Sequence, residues 1–138
     1  MCVLVVNKNS KLLNKKIKID ELKKETLYMP RKSSVTTMNF IKSANCEYND
    51  FNDIKHITYS AILEIVKDTN AVGLITKEFF NNECFNDEIR ILDTDFVIEP
   101  VEFGIYLNNN RFTQLNKFIE VIKNHFKNHF YDTYEYST

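Results

Sequence analysis

Three segments of this chain share one order: a short run expected to form a strand, a turn, and then a run with helical periodicity. They cover residues 27–44, 52–69 and 71–80. A strand that leads directly into a helix is the unit from which α/β domains are built, because the helix can pack its apolar face on the sheet that the strands form. The pattern therefore predicts an α/β domain.

The remaining segments fit the same architecture. Residues 2–6 are continuously apolar, which predicts a strand buried on both faces, as in a parallel or mixed sheet. A short helix is expected over residues 20–24, with Asp20 as its N-cap. The further expected elements are strands at residues 89–92 and 97–107 and a closing amphipathic helix that starts near Thr113.

The three strand–helix units also predict how their helices begin and pack. In the second and third units a hydroxyl, that of Thr58 or Thr76, stands where it can cap the helix. The helix of the first unit is expected to pack one apolar stripe on the sheet, because apolar residues recur there at helical spacing. That stripe consists of Val35, Met38, Ile41 and Ala44.

Composition limits the possible functions. The chain has 138 residues, of which 43% are hydrophobic, so it can form one domain with a packed core. Basic and acidic residues are intermixed and the formal net charge is −1, which does not indicate a basic groove for nucleic acid. Cys2, Cys46 and Cys84 show no CxxC spacing, which favours reduced thiols in a cytosolic protein. No apolar run approaches the length of a membrane span.

The first strand–helix unit is also the candidate ligand site. Arg31 and Lys32 lie just before a helix that starts at Ser33 or Ser34, and no acidic residue follows at the third helical position. The free N–H groups of a first helical turn carry partial positive charge, so together with two cations they can hold a carboxylate or another small anion. The alternative is that the serines only cap the helix and that the cations are solvated surface charges.

Other residues with possible chemistry give weaker signals. His56 precedes the second helix and can donate to a ligand, although a lone His is more often structural. His125 and His129 have a metal-compatible spacing, but no third ligand is obvious near them. The cysteines have no neighbouring His in sequence, and no phosphate-binding glycine loop exists. We therefore predict no catalytic residue, no metal site and no cofactor.

The order of elements and the residues at their junctions resemble the second lobe of the effector-binding domain of LysR-type transcriptional regulators. Residues 27–34 resemble the family's strand, proline and small polar loop before a helix. Thr69 and Ala71 stand where the family usually has glycine, and Thr76 where it usually has proline, so the turns are expected to differ there. The resemblance covers nearly the whole chain, through residues 3–13, 17–22, 27–34, 61–76, 101–110 and 113–122.

The resemblance implies a fold and a chain organisation. Such regulators carry a winged helix-turn-helix, a linker helix and a two-lobed domain like a periplasmic binding protein, with a small-molecule inducer between the lobes. The implied fold is an α/β, periplasmic-binding-protein-like lobe with a mixed, mostly parallel sheet flanked by helices. We expect this lobe over residues 1–107, a helix that would pack on the missing first lobe over residues 108–130, and a loose tail over residues 131–138. On this interpretation the chain is a cloned fragment or a truncated gene product.

The resemblance also implies a function, partners and a site. The expected function is effector sensing without catalysis, in a cytoplasmic homo-oligomer that reaches DNA only through a domain missing from this chain and does not bind membranes. Two alternatives stay open: a free-standing α/β enzyme that uses a cysteine or carboxylate in the same cleft, and a protein-interaction module that uses the last helix. The residues expected to face the small-molecule, candidate anionic effector are Ser33, Ser34, Val35, Thr58, Tyr59 and Ser60.

Overall fold

The computed structural model describes residues 1–83, 87–100 and 112–129. The chain divides into two compact units, residues 1–101 and residues 102–138. The strands are β1 (Cys2–Asn7), β2 (Thr26–Met29), β3 (Asp53–His56), β4 (Val72–Thr76) and β5 (Ile89–Ile91). The helices are α1 (Ile19–Leu22), α2 (Val35–Ser43), α3 (Tyr59–Asp68), α4 (Lys77–Asn82) and α5 (Phe112–His129), and a single 3₁₀ turn covers Tyr48–Asp50.

The five strands within the described residues form one mixed sheet in the order β3-β2-β4-β1-β5. Strand β2 pairs in parallel with both β3 and β4, whereas β1 pairs antiparallel with both β4 and β5. Four of the five strands therefore run in one direction, and β1 runs against them. The α/β fold and the mixed, mostly parallel sheet that the sequence predicts are confirmed.

The core lies on both faces of this sheet. Alternate residues of β1 point to opposite faces, so Leu4 belongs to one apolar cluster and Val5 to the other. Helix α2 contributes Phe40 to the first cluster, and α3 contributes Ile62 and Val66 to the second. The continuous apolar run at the start of the chain is thus a strand buried on both faces, as predicted.

The observed N-caps of α3 and α4 are the predicted threonines, whereas the N-cap of α1 differs from the prediction. The hydroxyl of Thr58 accepts a hydrogen bond from the Ala61 N–H at 3.4 Å, and the hydroxyl of Thr76 accepts one from the Phe79 N–H at 3.2 Å. The prediction that Asp20 caps α1 is wrong, because Lys18 is the N-cap and Asp20 lies inside the first turn.

The predicted apolar stripe of α2 is wrong at its first two positions. Val35 and Met38 are 53% and 55% exposed. The helix instead buries Thr36, Thr37 and Phe40. The two threonines can face inward because each hydroxyl has a hydrogen-bond partner, and burying a polar group is costly only when it has none.

The second unit is described through α5, an 18-residue helix. It begins next to Thr113, where the sequence predicts the closing helix. None of the helices within the described ranges is both long and apolar enough to cross a membrane. Of the predicted extended segment 97–107, residues 97–100 form no strand, and the rest lies outside the described residues, as does the predicted tail at 131–138.

Candidate ligand-binding site

A depression of about 360 Å³ opens at the carboxyl ends of β2 and β3. These neighbouring strands are parallel, with Met29 paired to His56, so both end at the same edge of the sheet. The chain leaves β2 towards one face, where α2 packs, and leaves β3 towards the other, where α3 packs. Such a divergence creates a crevice between the two connections, which is where open α/β sheets bind ligands. Its lining consists of Pro30, Arg31, Ser34, His56, Ile57, Thr58 and Tyr59.

The first wall is the connection from β2 to α2. Ser34 is the N-cap of α2 by its backbone, and its carbonyl accepts from the Met38 N–H at 2.9 Å. Its side chain makes no capping hydrogen bond, so the hydroxyl is not used to close the helix. No acidic residue lies in the first turn of α2, and Arg31 lines the depression. This wall therefore presents a hydroxyl, a guanidinium and the positive end of a helix.

The second wall is the connection from β3 to α3. Thr58 uses its hydroxyl to cap α3, so this hydroxyl is already engaged with a backbone N–H. The first turn of α3 contains no acidic residue. By contrast, α4, which starts at the end of β4, has Glu78 in its first turn, and this carboxylate pairs with the amino group of Met1 at 3.1 Å. The two helix starts beside the depression therefore lack the compensating charge that α4 has.

Tyr59 joins the second wall to the rest of the molecule. Its hydroxyl oxygen lies 2.8 Å from the Thr36 hydroxyl in α2. Its ring lies against that of Phe79 in α4, with centroids 5.2 Å apart. Burial raises the pKa of the Tyr59 hydroxyl, and the hydrogen bond with Thr36 partly opposes that rise. The Tyr59 side chain is therefore neutral at physiological pH.

His56, whose side chain is exposed, connects the two walls of the depression. Its Nδ1 lies 2.7 Å from the Pro30 carbonyl oxygen. Because a carbonyl oxygen can only accept, Nδ1 must carry the proton, which leaves Nε2 as the ring atom free to accept when the imidazole is neutral. The same carbonyl accepts from the Thr37 hydroxyl at 2.9 Å. The position of Pro30 is therefore fixed from both β3 and α2.

Tyr48, in the 3₁₀ turn, contacts the loop that contains Arg31 and Lys32. Its hydroxyl donates to the Lys32 carbonyl at 3.4 Å, and the Lys32 ammonium lies 4.6 Å from the centre of its ring. The Tyr48 ring also packs near that of His56, with centroids 6.0 Å apart. The two cations of the loop are thus separated: Lys32 is held against Tyr48, and only Arg31 lines the depression.

Three of the six predicted site residues line the depression: Ser34, Thr58 and Tyr59. The other three are not in its lining, and Val35 is turned to the outside of α2. Ligand contact by any of the six stays a prediction. Residues 30 and 57 were not expected at the site, although both directly flank the ends of their strands, a position that could have identified them.

The structure gives no support for thiol chemistry at the two cysteines it describes. Burial raises the pKa of the Cys2 thiol, and it also raises that of Cys46. A reactive thiol requires the opposite shift, because the thiolate is the nucleophile. Within the described ranges no three His, Cys, Asp or Glu side chains lie close enough to hold a metal ion. Cys84 and the side chain of His129 lie outside the described residues.

The chain is similar to several solved structures. Neither a protein-family model nor the sequence of a curated protein matches the chain. The regulatory domain of CcmR from Synechocystis PCC6803, solved in complex with 2-PG, is 20% identical and matches 89% of this chain and 63% of its own, with a TM-score of 0.56. A mutant of ArgBP from T. maritima is 18% identical, with 92% and 52% coverage and a TM-score of 0.58.

A third neighbour is the periplasmic aliphatic sulphonate binding protein SsuA from Escherichia coli, which is 12% identical, with 91% and 42% coverage and a TM-score of 0.56. The chain has a periplasmic-binding-protein-like fold. The fold implied by the resemblance is confirmed by these structural likenesses. The chain spans between 42% and 63% of the length of these three structures.

Proposed function

We propose that this chain is the effector-sensing lobe of a LysR-type regulator, and that it binds a small organic anion at the carboxyl ends of β2 and β3 without catalysing a reaction. The observation that carries the proposal is the depression between two diverging strand–helix connections, lined by Arg31 and by no acidic side chain. The starts of α2 and α3 add partial positive charge there, with no acidic residue in either first turn.

The neighbours support the same class of ligand. The CcmR regulatory domain was solved with 2-PG, and SsuA is a binding protein for aliphatic sulphonates, which are anions. A site for an inorganic anion would need only positive charge and hydrogen-bond donors. This depression is also lined by the apolar side chain of Ile57 and by the ring of Tyr59. A ligand with an anionic head and a short organic body fits both kinds of surface.

We propose that the rest of the chain is organised as in LysR-type regulators. On this proposal the lobe spans residues 1–107, and helix α5 would pack on a first lobe. DNA is reached through a domain outside this chain, in a cytoplasmic homo-oligomer. An effector held between two lobes binds one relative placement of the lobes more tightly than others, and so shifts their equilibrium towards that placement.

The test is a titration of the ¹⁵N-labelled chain with inorganic phosphate and, separately, with acetate, followed by NMR. We expect the amide signals of Ser34, Thr58 and Tyr59 to shift together and to saturate. Replacing Arg31 by Gln should weaken binding about tenfold or more, because a hydrogen bond to a charged group contributes about 1.5–3 kcal/mol. Glycerol at the same concentration should leave these signals in place.

The matched control is Lys11→Gln, which removes one exposed cation remote from the depression. It lowers the net charge by the same amount as Arg31→Gln. We expect it to change the dissociation constant less than twofold at 0.15 M salt, where distant surface charges are screened. Equal losses in the two variants, or shifts spread over the whole surface, would contradict a specific site.

A further inference from the structure

Thr36 is a buried polar side chain in a place where helices normally bury apolar ones. It is 5% exposed and lies in the first turn of α2. Its hydroxyl is 2.8 Å from that of Tyr59, the first residue of α3. The Thr36 hydroxyl is hydrogen-bonded to that of Tyr59 and also to the Cys2 side chain, which explains why the position tolerates a polar group.

The hydrogen bond between Thr36 and Tyr59 joins the starts of two helices. Helices α2 and α3 pack on opposite faces of the sheet, so the sheet separates them along most of their length. Their first turns are nevertheless joined by the hydrogen bond between Thr36 and Tyr59. The same two first turns form the walls of the depression.

Two contacts restrain the Tyr59 side chain. Its hydroxyl is held by Thr36, and its ring rests on Phe79 of α4. A tyrosine with a free hydroxyl could rotate about its first side-chain torsion between staggered positions. Both contacts must be broken for that rotation, so the ring stays as a wall of the depression.

We propose that Thr36 is a positioning residue for ligand binding: through its hydrogen bond it fixes the Tyr59 ring and the separation of the two helix starts. This inference rests on the proposed function for the identity of the site. Thr36 itself does not line the depression, so it acts through Tyr59. Holding the walls in place before a ligand arrives removes an ordering cost from binding, which raises affinity.

The competing explanation is that the bond only stabilises the fold. A typical intramolecular hydrogen bond contributes to stability wherever it lies. The two explanations differ in what the free chain should show. A positioning role predicts that loss of the Thr36 hydroxyl disturbs Ser34 and Thr58, which flank the depression, more than residues at the far ends of the helices.

The experiment compares Thr36→Val, which keeps the shape and removes the hydroxyl, with Thr36→Ser, which keeps the hydroxyl. In the free chain we expect Thr36→Val to move the amide signals of Ser34 and Thr58, and Thr36→Ser to restore them. With inorganic phosphate as the probe, Thr36→Val should weaken binding about fivefold to tenfold, as the loss of one ordering hydrogen bond implies. Thr36→Ser should stay within about twofold of the wild type.

Two further variants make the test specific. Tyr59→Phe should weaken phosphate binding, and the double variant should bind no more weakly than Thr36→Val alone, because both single changes remove the hydrogen bond between the two hydroxyls. Thr69→Val removes a hydroxyl that bonds to the Ile65 carbonyl at 2.7 Å, near the other end of α3. It should lower the unfolding temperature and leave the dissociation constant unchanged.

The outcomes separate this inference from the proposed function. A wild-type chain that binds neither phosphate nor acetate overturns the proposed function, and the free-chain signals then still decide whether Thr36 positions the two walls. Unmoved Ser34 and Thr58 signals in Thr36→Val overturn the inference. So does unchanged phosphate affinity in a variant whose unfolding temperature has fallen.

Discussion

The thiol of Cys2 gives the folded chain a dependence on alkaline pH. Burial raises the pKa of this thiol. In the unfolded chain the pKa is near the ordinary value of about 8.5, so between the two values the folded chain binds more protons. The stability that this group contributes is complete below about pH 8.5 and is lost as the pH rises through the folded-state pKa.

We therefore expect the urea midpoint to fall as the pH is raised from 8 to 10.5, measured by circular dichroism. Cys2→Ala should make the first part of that fall shallower. Burial also raises the pKa values of Cys46, Tyr48 and Tyr59, so the variant should keep a further decline, in which the tyrosines take part above about pH 10. Parallel curves for wild type and Cys2→Ala would show that the Cys2 thiol does not contribute.

At the scale of single residues, sequence position predicts part of the candidate site. Ser34, Thr58 and Tyr59 lie in the connections that follow β2 and β3, and the local pattern of strand, turn and helix is enough to place them at one edge of the sheet. Tyr48 and Thr36 could not be found this way. Their roles depend on contacts with residues 16 and 23 positions away in sequence, to the Lys32 carbonyl and the Tyr59 hydroxyl.

At the scale of elements, α2 shows where hydrophobic periodicity fails. Val35 and Met38 are more apolar than Thr36 and Thr37, so the pattern assigns the inward face to the wrong residues. The threonines of α2 face inward because each hydroxyl has a hydrogen-bond partner there. Thr36 bonds to the Tyr59 hydroxyl in α3, and Thr37 donates to the Pro30 carbonyl after β2. Specific hydrogen bonds thus decide the orientation, and a pattern of apolar residues does not contain them.

Helix α3 packs closely on β4 at Gly73. A Cβ added at Gly73 would lie 2.5 Å from Cγ2 of Ile62 and 2.9 Å from Cγ2 of Val66. We expect Gly73→Ala to lower the free energy of unfolding by about 1–3 kcal/mol, the usual cost of overpacking, measured by urea denaturation.

A second variant tests whether the contact with Ile62 is the cause. Ile62→Ala alone removes a fully buried side chain and should cost about 2–5 kcal/mol. In that background Gly73→Ala should cost less than it does in the wild type, because the new methyl group enters the space that Ile62 leaves. Strictly additive losses would mean that the helix shifts as a whole rather than clashing at this point.

At the scale of the whole molecule, the sequence predicts the elements but not their order in the sheet. Strands β1, β2 and β4 are visible as local apolar runs, whereas β3 has one apolar residue in four. Strand β1, however, lies between β4 and β5, which are more than 60 residues away along the chain. Pairing between distant strands is set by how the connections pack on the two faces, which local patterns do not record.

The place of β1 inside the sheet predicts which parts of the chain are needed for folding. Removal of residues 1–7 should unfold the chain, since it takes away the pairing partners of both β4 and β5 and residues from both apolar clusters. Removal of residues 108–138 should leave the predicted lobe folded, because residues 1–101 form a compact unit. Dispersed NMR signals for residues 1–107, including shifted methyl signals from the core, would agree with this expectation. A collapsed spectrum for that fragment would show that the lobe depends on the helix that follows it.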